Sequence, residues 1–473
     1  MTPKTDGQTG HYALKQVTSA PKQPNILLIM DDQHRFDYLG CMGSEFVDTP
    51  NLDRIAQRGV LFRTCCTNSP LCAPARIGLA AGLQPSRMGA LDNECFLPRS
   101  VTTYYQRLRD AGYRVGCVGK LDLAKPDKYN GRYGDRPCIY GWGFTHPEEC
   151  EGKMHAARSA TPLGPYGHML QENGLFERFR DDYLRRARNG FIKDADQDSV
   201  LDSQTFEDGY IGERAVAWLR DIPDDLPWHF FVSFVGPHDP FDPPNEYAER
   251  YRQATMPAAI QDDMEGKPDW VRGRAWDMDE EEIAVSRQQY CAEIALIDHY
   301  VGQMLDVLEA RGQLDDTYIL FSSDHGEMLG DHGLYTKWVP YEASLRVPLI
   351  VSGPGIKGGR ASDALVELID VNPTICELAG LPPQENIDAL SLGPVLRGES
   401  ETHRDDVVSA LRNFRCMRTE KWKFVENYND MPELYDMEND PQELHNVAGE
   451  HSDLVRQFIR RLQRRYDEGG WRR

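Results

Sequence analysis

The sequence predicts an α/β fold: a mostly parallel sheet flanked by helices, followed by a smaller C-terminal α+β subdomain. Three observations lead there. Short apolar runs recur along the first two thirds of the chain and are continuous rather than alternating, as strands buried on both faces of a helix-covered sheet are. Each run ends abruptly at acidic, basic or imidazole residues. Between the runs lie segments whose apolar residues step by three or four, with helix-type boundaries.

In chain order, Ile26–Met30 is the first strand and runs into Asp31 and Asp32. Thr49 caps a helix with Pro50 at its first position, and Gly59 ends it. Val101–Ala111 is helical, with Tyr104, Leu108 and Ala111 on one face and Gly112 as its stop. Arg114–Gly119 is a strand that delivers Lys120 and Asp122, and Phe230–Val235 is another that delivers His238. The longest helix covers Ile283 to Arg311, where Tyr290, Ile294, Ile297, Val301, Leu305 and Leu308 form one stripe. Tyr318–Ser323 then runs into Asp324 and His325. Lys125–Val200 is rich in Gly, Pro and charge without clear periodicity, and reads as long surface loops with short helices that shape a substrate site. From Pro382 short strands appear, Trp422–Val425 and Glu433–Tyr435, before a last helix near Ser452–Tyr466. The expected organisation is a polar extension over 1–23, a catalytic domain over 24–381 and a subdomain over 382–473.

Composition narrows the function. The chain has 473 residues, with 53 Lys and Arg against 75 Asp and Glu, a net charge of −22. Such a field repels nucleic acid and anionic membranes, so neither is an expected partner. Eleven cysteines without a C-x-x-C pair argue against a disulfide framework or a ribbon-type zinc site, and favour reduced thiols. Met1 to Gln23 lacks the apolar core of a secretion signal, and the expected location is cytoplasmic.

Strand ends that deliver charged groups to one sheet edge are where α/β proteins place ligands. Asp31, Asp32, Asp324 and His325 offer three carboxylates and an imidazole, a donor set for a hard or borderline divalent cation. Separate capping of helices and turns is the competing reading of the same residues. Cys72, in Pro70-Leu71-Cys72-Ala73-Pro74-Ala75-Arg76, sits near a helix start, where backbone donors favour a thiolate or anion; an ordinary buried thiol is the alternative.

Cys72-Ala73-Pro74-Ala75-Arg76 resembles the C-x-P-x-R signature of type I sulfatases, in which the cysteine is oxidised to formylglycine, and the Leu79-x-x-Gly82 that follows is similar to its extended form. Asn25–Gly43, Thr49–Phe62, Gly112–Lys120, Pro237–Pro244, Ser323–Lys337, Tyr341–Gly353 and Glu433–Asn446 resemble further blocks of that family in the same order. The resemblance implies an alkaline-phosphatase-like fold and one divalent metal, Ca²⁺ foremost and Mn²⁺ as alternative, held by Asp31, Asp32, Cys72, Asp324 and His325. It implies a sulfate monoester as substrate, cleaved through a covalent sulfo-enzyme intermediate on formylglycine, and a formylglycine-generating enzyme as maturation partner. Arg76 would hold the formylglycine, Lys120 and Lys337 would bind sulfate oxygens, His238 would bind the ester or protonate the leaving oxygen, and Asn93 would lie near the substrate.

Two departures stand out. Sulfatases usually carry a histidine where this chain has Asp122, which can act as base, pair with Lys120 or receive substrate. Asp324-His325 replaces the common Asp-Asn, resembles phosphonate monoester hydrolases, and admits Mn²⁺ through its nitrogen donor. A phosphonate or phosphate ester hydrolase is therefore the second expectation and a catalytically silent binding protein the third. Gly353-Pro354-Gly355-Ile356-Lys357-Gly358 matches a dinucleotide-binding pattern in letters only; Pro354 and the polar run after it make it a loop.

Overall fold

A computed structural model describes residues 23–468, so the expected polar extension lies, but for Gln23, outside the described residues. Eight strands build the main sheet: β1 (Asn25–Asp31), β2 (Gly59–Cys66), β3 (Arg114–Gly119), β4 (His146–Glu149), β5 (Trp228–Ser233), β6 (Thr317–Ser323), β7 (Arg346–Ser352) and β8 (Arg360–Glu367). Their order is β4-β3-β5-β1-β6-β7-β2-β8. Only β7 runs against its neighbours, β6 and β2, so seven of the eight strands point the same way.

The continuous apolar run of β1 has a direct cause. Leu27 and Ile29 pack on one face against Ile294, Ile297, Val301 and Leu305 of the helix Glu280–Ala310. Ile26, Leu28 and Met30 pack on the other, with Ile77 and Leu79 of the helix Cys72–Ala81. Both faces are buried, so alternation has nothing to encode. Each of these side chains stabilises the fold by roughly 1.5–3 kcal/mol through burial. The long helix begins at Asp279, which accepts from the Glu282 amide while Glu282 reaches back, a reciprocal cap.

Several local expectations shift. The first helix spans Pro50–Gln57, and Gly59 opens β2 instead of ending the helix. β2 was not anticipated, because Arg63 and Thr64 interrupt its apolar run where the strand meets a register shift. β5 begins at Trp228 and stops at Ser233, leaving Val235 in the turn that follows. The 125–200 region is more ordered than its composition suggested. It holds β4 and the 14-residue helix Phe176–Asn189, whose Phe176, Phe179 and Tyr183 form a small core with Tyr166 and Leu170. Arginines between those aromatics mask the periodicity. Ser352 and Arg360 bound a loop without a helix, as expected for the glycine-rich segment.

At the C-terminal end, β9 (Val407–Ala410), β10 (Phe414–Arg418), β11 (Trp422–Asn427) and β12 (Glu433–Asp436) make an antiparallel sheet. The helix Ser452–Glu468 covers one face through Phe458, stacked on Phe424, and through Leu462. Leu392, Val395 and Leu396 pack into the core of the main sheet instead. All eleven cysteines are free. No helix among the described residues is long and apolar enough to cross a membrane.

Candidate active site

Because β1, β2, β3, β5 and β6 are parallel, their C-terminal ends lie on one edge of the sheet. β1 ends in Asp31 and continues into Asp32, β6 leads into Asp324 and His325, β3 into Lys120, and β5 into the turn bearing His238. β2 leads through a short loop to Cys72, the first residue of its helix. At Gly119 the edge is so tight that a Cβ would lie 1.9 Å from the Ser233 carbonyl oxygen, and the backbone is left-handed (φ 99°). Glycine is required there to bring Lys120 against β5.

Asp32, Cys72, Asp324 and His325 are all buried, and one ligand atom from each lies within 4.8 Å of the others. Cys72 Sγ is 3.2 Å from His325 Nε2 and 3.7 Å from Asp32 Oδ1. His325 Nδ1 lies 3.0 Å from the Gly326 carbonyl and donates to it, which leaves the Nε2 lone pair facing the group. This donor set fits a divalent cation. Asp31 is the expected ligand that the structure does not bring into the group. Its Oδ2 turns to His34 Nδ1 at 2.7 Å, while Oδ1 stays buried without a partner. Burial pushes the Asp31 carboxyl up to about 6 despite that bond.

Arg76 lies one turn after Cys72 on the same helix and is buried. Nε donates to Asp324 Oδ2 at 2.7 Å, and Nη1 to the Lys120 carbonyl and Ser233 Oγ, each at 2.6 Å. Nη2 lies 3.4 Å from Asp32 Oδ2. The guanidinium thus ties the two candidate metal carboxylates to the ends of β3 and β5. No such bond runs from it to Cys72.

Lys120 donates to Asp32 Oδ2 and lies 3.3 Å from Asp122 Oδ2. Asp122 also accepts from Lys125 at 2.5 Å. Burial opposes ionisation of Asp122, yet Lys120 and Lys125 outweigh it and hold the carboxyl well below the carboxylate range. Of the roles open to Asp122, pairing with Lys120 is the one its geometry displays, and it does not line the cavity. For Asp32, too, burial is overcome, by Lys120, His238, Arg76 and His325. Burial and Asp32 oppose ionisation of Cys72, but Lys120, Lys125 and Lys337 together bring the thiol well below its ordinary value.

His238 Nδ1 lies 2.7 Å from the Asp239 carbonyl, which makes Nδ1 the protonated nitrogen and Nε2 an acceptor for Lys337 Nζ at 2.6 Å. Lys337 also donates to Gln33 Oε1. Gln33 bonds Asp239 at 3.2 Å and Glu327 besides, so it ties Lys337 to the His238 turn. The sequence reading missed it, although it directly follows Asp31 and Asp32. Asn93 Oδ1 accepts from the Ala73 amide at 3.1 Å and so caps the helix that starts at Cys72.

These groups form the wall of a cavity of about 580 Å³, which Cys72, Asn93, Lys120, His238 and Lys337 all line. Six lining side chains are cationic against three carboxylates, so the cavity is basic inside an acidic protein. The 125–200 region adds Lys125, Lys128, Lys153, His155 and Arg158, for which the sequence offered no motif.

The fold and this cavity fit an α/β enzyme that acts on anionic substrates. A profile described as Sulfatase matches residues 24–381, and one described as N-sulphoglucosamine sulphohydrolase, C-terminal, matches residues 330–468. The choline-sulfatase of Rhizobium meliloti (strain 1021) is 31% identical, over 90% of this chain and 82% of its own. The arylsulfatase of Clostridium perfringens (strain 13 / Type A) is 30% identical, over 92% of this chain and 94% of its own. A crystal structure of the phosphonate monoester hydrolase of Agrobacterium radiobacter superposes with a TM-score of 0.79 at 25% identity, over 94% of this chain and 96% of that one. The chain belongs to the sulfatase family, has its alkaline-phosphatase-like fold, and is a sulfuric ester hydrolase.

Proposed function

We propose that the protein cleaves a small sulfate monoester, a sulfated carbohydrate or an aryl sulfate, with formylglycine made from Cys72 as nucleophile. The observation that carries this reading is the placement of Cys72 beside Asp32, Asp324 and His325 at the wall of a basic cavity. Asp32, Asp324, His325 and the modified Cys72 would hold one divalent ion, Ca²⁺ or Mn²⁺, which when bound supplies Lewis acidity. Formylglycine supplies, as its hydrate, two hydroxyls on one carbon, one to attack sulfur and one to release sulfate. Lys120 and Lys337 are set to receive charge that spreads over the sulfate oxygens. His238 has its Nε2 against the Lys337 ammonium, so the pair holds a proton facing the cavity where the leaving oxygen needs one. Asn93 fixes the start of the helix that carries Cys72. Eleven free thiols support a reducing compartment, the cytoplasm.

The test is peptide mass spectrometry across Cys72 in protein from its native host, with hydrazide trapping. Thiol-to-aldehyde conversion is the expected result; a wholly unmodified thiol in active protein overturns it. Asp324-His325 and the phosphonate monoester hydrolase neighbour favour a second reading, phosphonate ester hydrolysis at the same site. Turnover of matched aryl sulfate and aryl phosphonate esters separates the two.

A further inference from the structure

We propose that the outer part of the cavity binds a second anionic group of the substrate, a carboxylate or another sulfate, through Lys128 and Arg158. The preferred ester is then at least dianionic, a specificity that rests on the sulfate-ester reading above.

The pairing of each lining cation carries this. Lys120 is held by Asp32 and Asp122, and Lys125 by Asp122. Lys153 is buried and spends its three donors on Asp242 at 3.2 Å, Glu293 at 3.1 Å and the Pro240 carbonyl, so it has none left for a ligand. Lys337 bonds the uncharged Gln33 amide and the His238 ring; Asp239 and Glu327 feel its charge but neither is bonded to it, so its ammonium stays open to the scissile sulfate. Lys128 and Arg158 remain. Both are exposed at the cavity, and neither has a side-chain partner among the described residues.

They come from separate segments, the stretch after β3 and the end of the helix Lys153–Arg158, and converge on one space. His155, one turn before Arg158, lines that space as well. Burial, with Lys125, Lys120 and Lys128 adding to it and Asp122 opposing, brings His155 down to about 4, so near neutrality it is an uncharged ring with an N–H to donate. Among the lining carboxylates, Glu151 accepts from the Gly164 and Gly167 amides, and Asp239 faces Gln33 and His238. The unpartnered Glu151 Oε2 is buried, so Glu94, beside Asn93, is the exposed carboxylate of the lining, and it offsets at most one of the two cations.

A monoanionic ester would engage Lys120 and Lys337 at the reacting centre and leave Lys128 and Arg158 without a counter-ion. A cationic substrate would meet them directly. In a chain of net charge −22, two unpaired cations beside the reacting centre form a local anion site set against the field of the whole molecule.

Binding is measured first, because it does not depend on turnover. Calorimetry on the purified protein compares benzenesulfonate with 3-sulfobenzoate and 1,3-benzenedisulfonate, a non-hydrolysable monoanion and two dianions of the same ring geometry. The expected result is about tenfold tighter binding of the dianions, within the range for two partly exposed charge pairs, shrinking as salt is raised. The order of the two dianions tells carboxylate from sulfate recognition. In K128Q/R158Q the preference should fall toward one. Equal binding of mono- and dianions, or a preference unchanged in the double variant, overturns the proposal. Turnover of 4-nitrophenyl sulfates bearing a carboxylate or a carboxamide is measured in parallel. Binding preference without turnover of either ester sinks the sulfatase reading and leaves the anion site standing; turnover without preference does the reverse.

Discussion

Arg76→Lys is the perturbation whose cost the structure defines most closely. The guanidinium spreads its donors over Asp324, the Lys120 carbonyl and Ser233, with Asp32 at the edge of reach. A lysine ammonium keeps the charge but concentrates its donors at one point, so about two of these bonds are lost or stretched. Bonds to a charged group contribute roughly 1.5–3 kcal/mol each, and partial relaxation brings the expected loss to about 3 kcal/mol. For a chain of 473 residues the unfolding entropy is about 1 kcal/mol/K, so the melting midpoint should fall by ~3 °C. Asp32 and Asp324 should also lose their fixed orientation, which lowers metal affinity by about 10- to 100-fold. Scanning calorimetry with and without chelator reads the first effect, and metal titration of the stripped protein reads the second. The wild-type protein should itself lose turnover on chelation and recover it with Ca²⁺ or Mn²⁺. If Arg76→Lys melts and binds metal like wild type, the guanidinium does not organise the carboxylates and its place in the site must be rethought.

Asp122→Asn separates two roles at the position where the usual histidine is missing. Lys120 and Lys125 keep this carboxyl ionised far below neutral pH. The variant should therefore slow turnover about tenfold through a displaced Lys120 while the pH–rate profile between pH 5 and 8 keeps its shape; loss of a limb of that profile would show Asp122 acting as a base. Glu293→Gln tests the buried acids behind the cavity. Burial pushes Glu293 from 4.5 up to about 8, although Lys153 pulls it down. A folded value above the unfolded one contributes stability that is full below pH ~4.5 and is lost as pH rises toward 8, at ~1.4 kcal/mol per pH unit. The wild-type midpoint should fall across that window and the Glu293→Gln midpoint should fall less; parallel curves would show that Glu293 is not the group being titrated.

What the sequence made legible, and what it hid, follows from range. β1, β3 and β6 were readable because strands buried on both faces must be apolar throughout, and the groups they carry follow within a few residues. The sheet edge collects such groups whatever the loops do, so Asp32, Lys120, Asp324, His325 and His238 could be named from strand ends. β2 escaped because Arg63 and Thr64 break its pattern, and with it went the reason Cys72 arrives at the same edge. The partners of these groups were beyond reach. Nothing in the local pattern around Arg76 says that it will face Asp324, 248 positions away, rather than Cys72 four positions back. The cations of the 125–200 region were hidden for a related reason: a lysine in a polar, glycine-rich stretch looks solvated until tertiary folding shows which lysines have found carboxylates. In this chain the strand ends set the chemistry, and the pairing of distant charges decides which cations remain for the substrate. That second property is the one on which the binding comparison of mono- and dianions bears, since the sequence alone does not show that Lys128 and Arg158 are left unpaired while Lys125 and Lys153 are held.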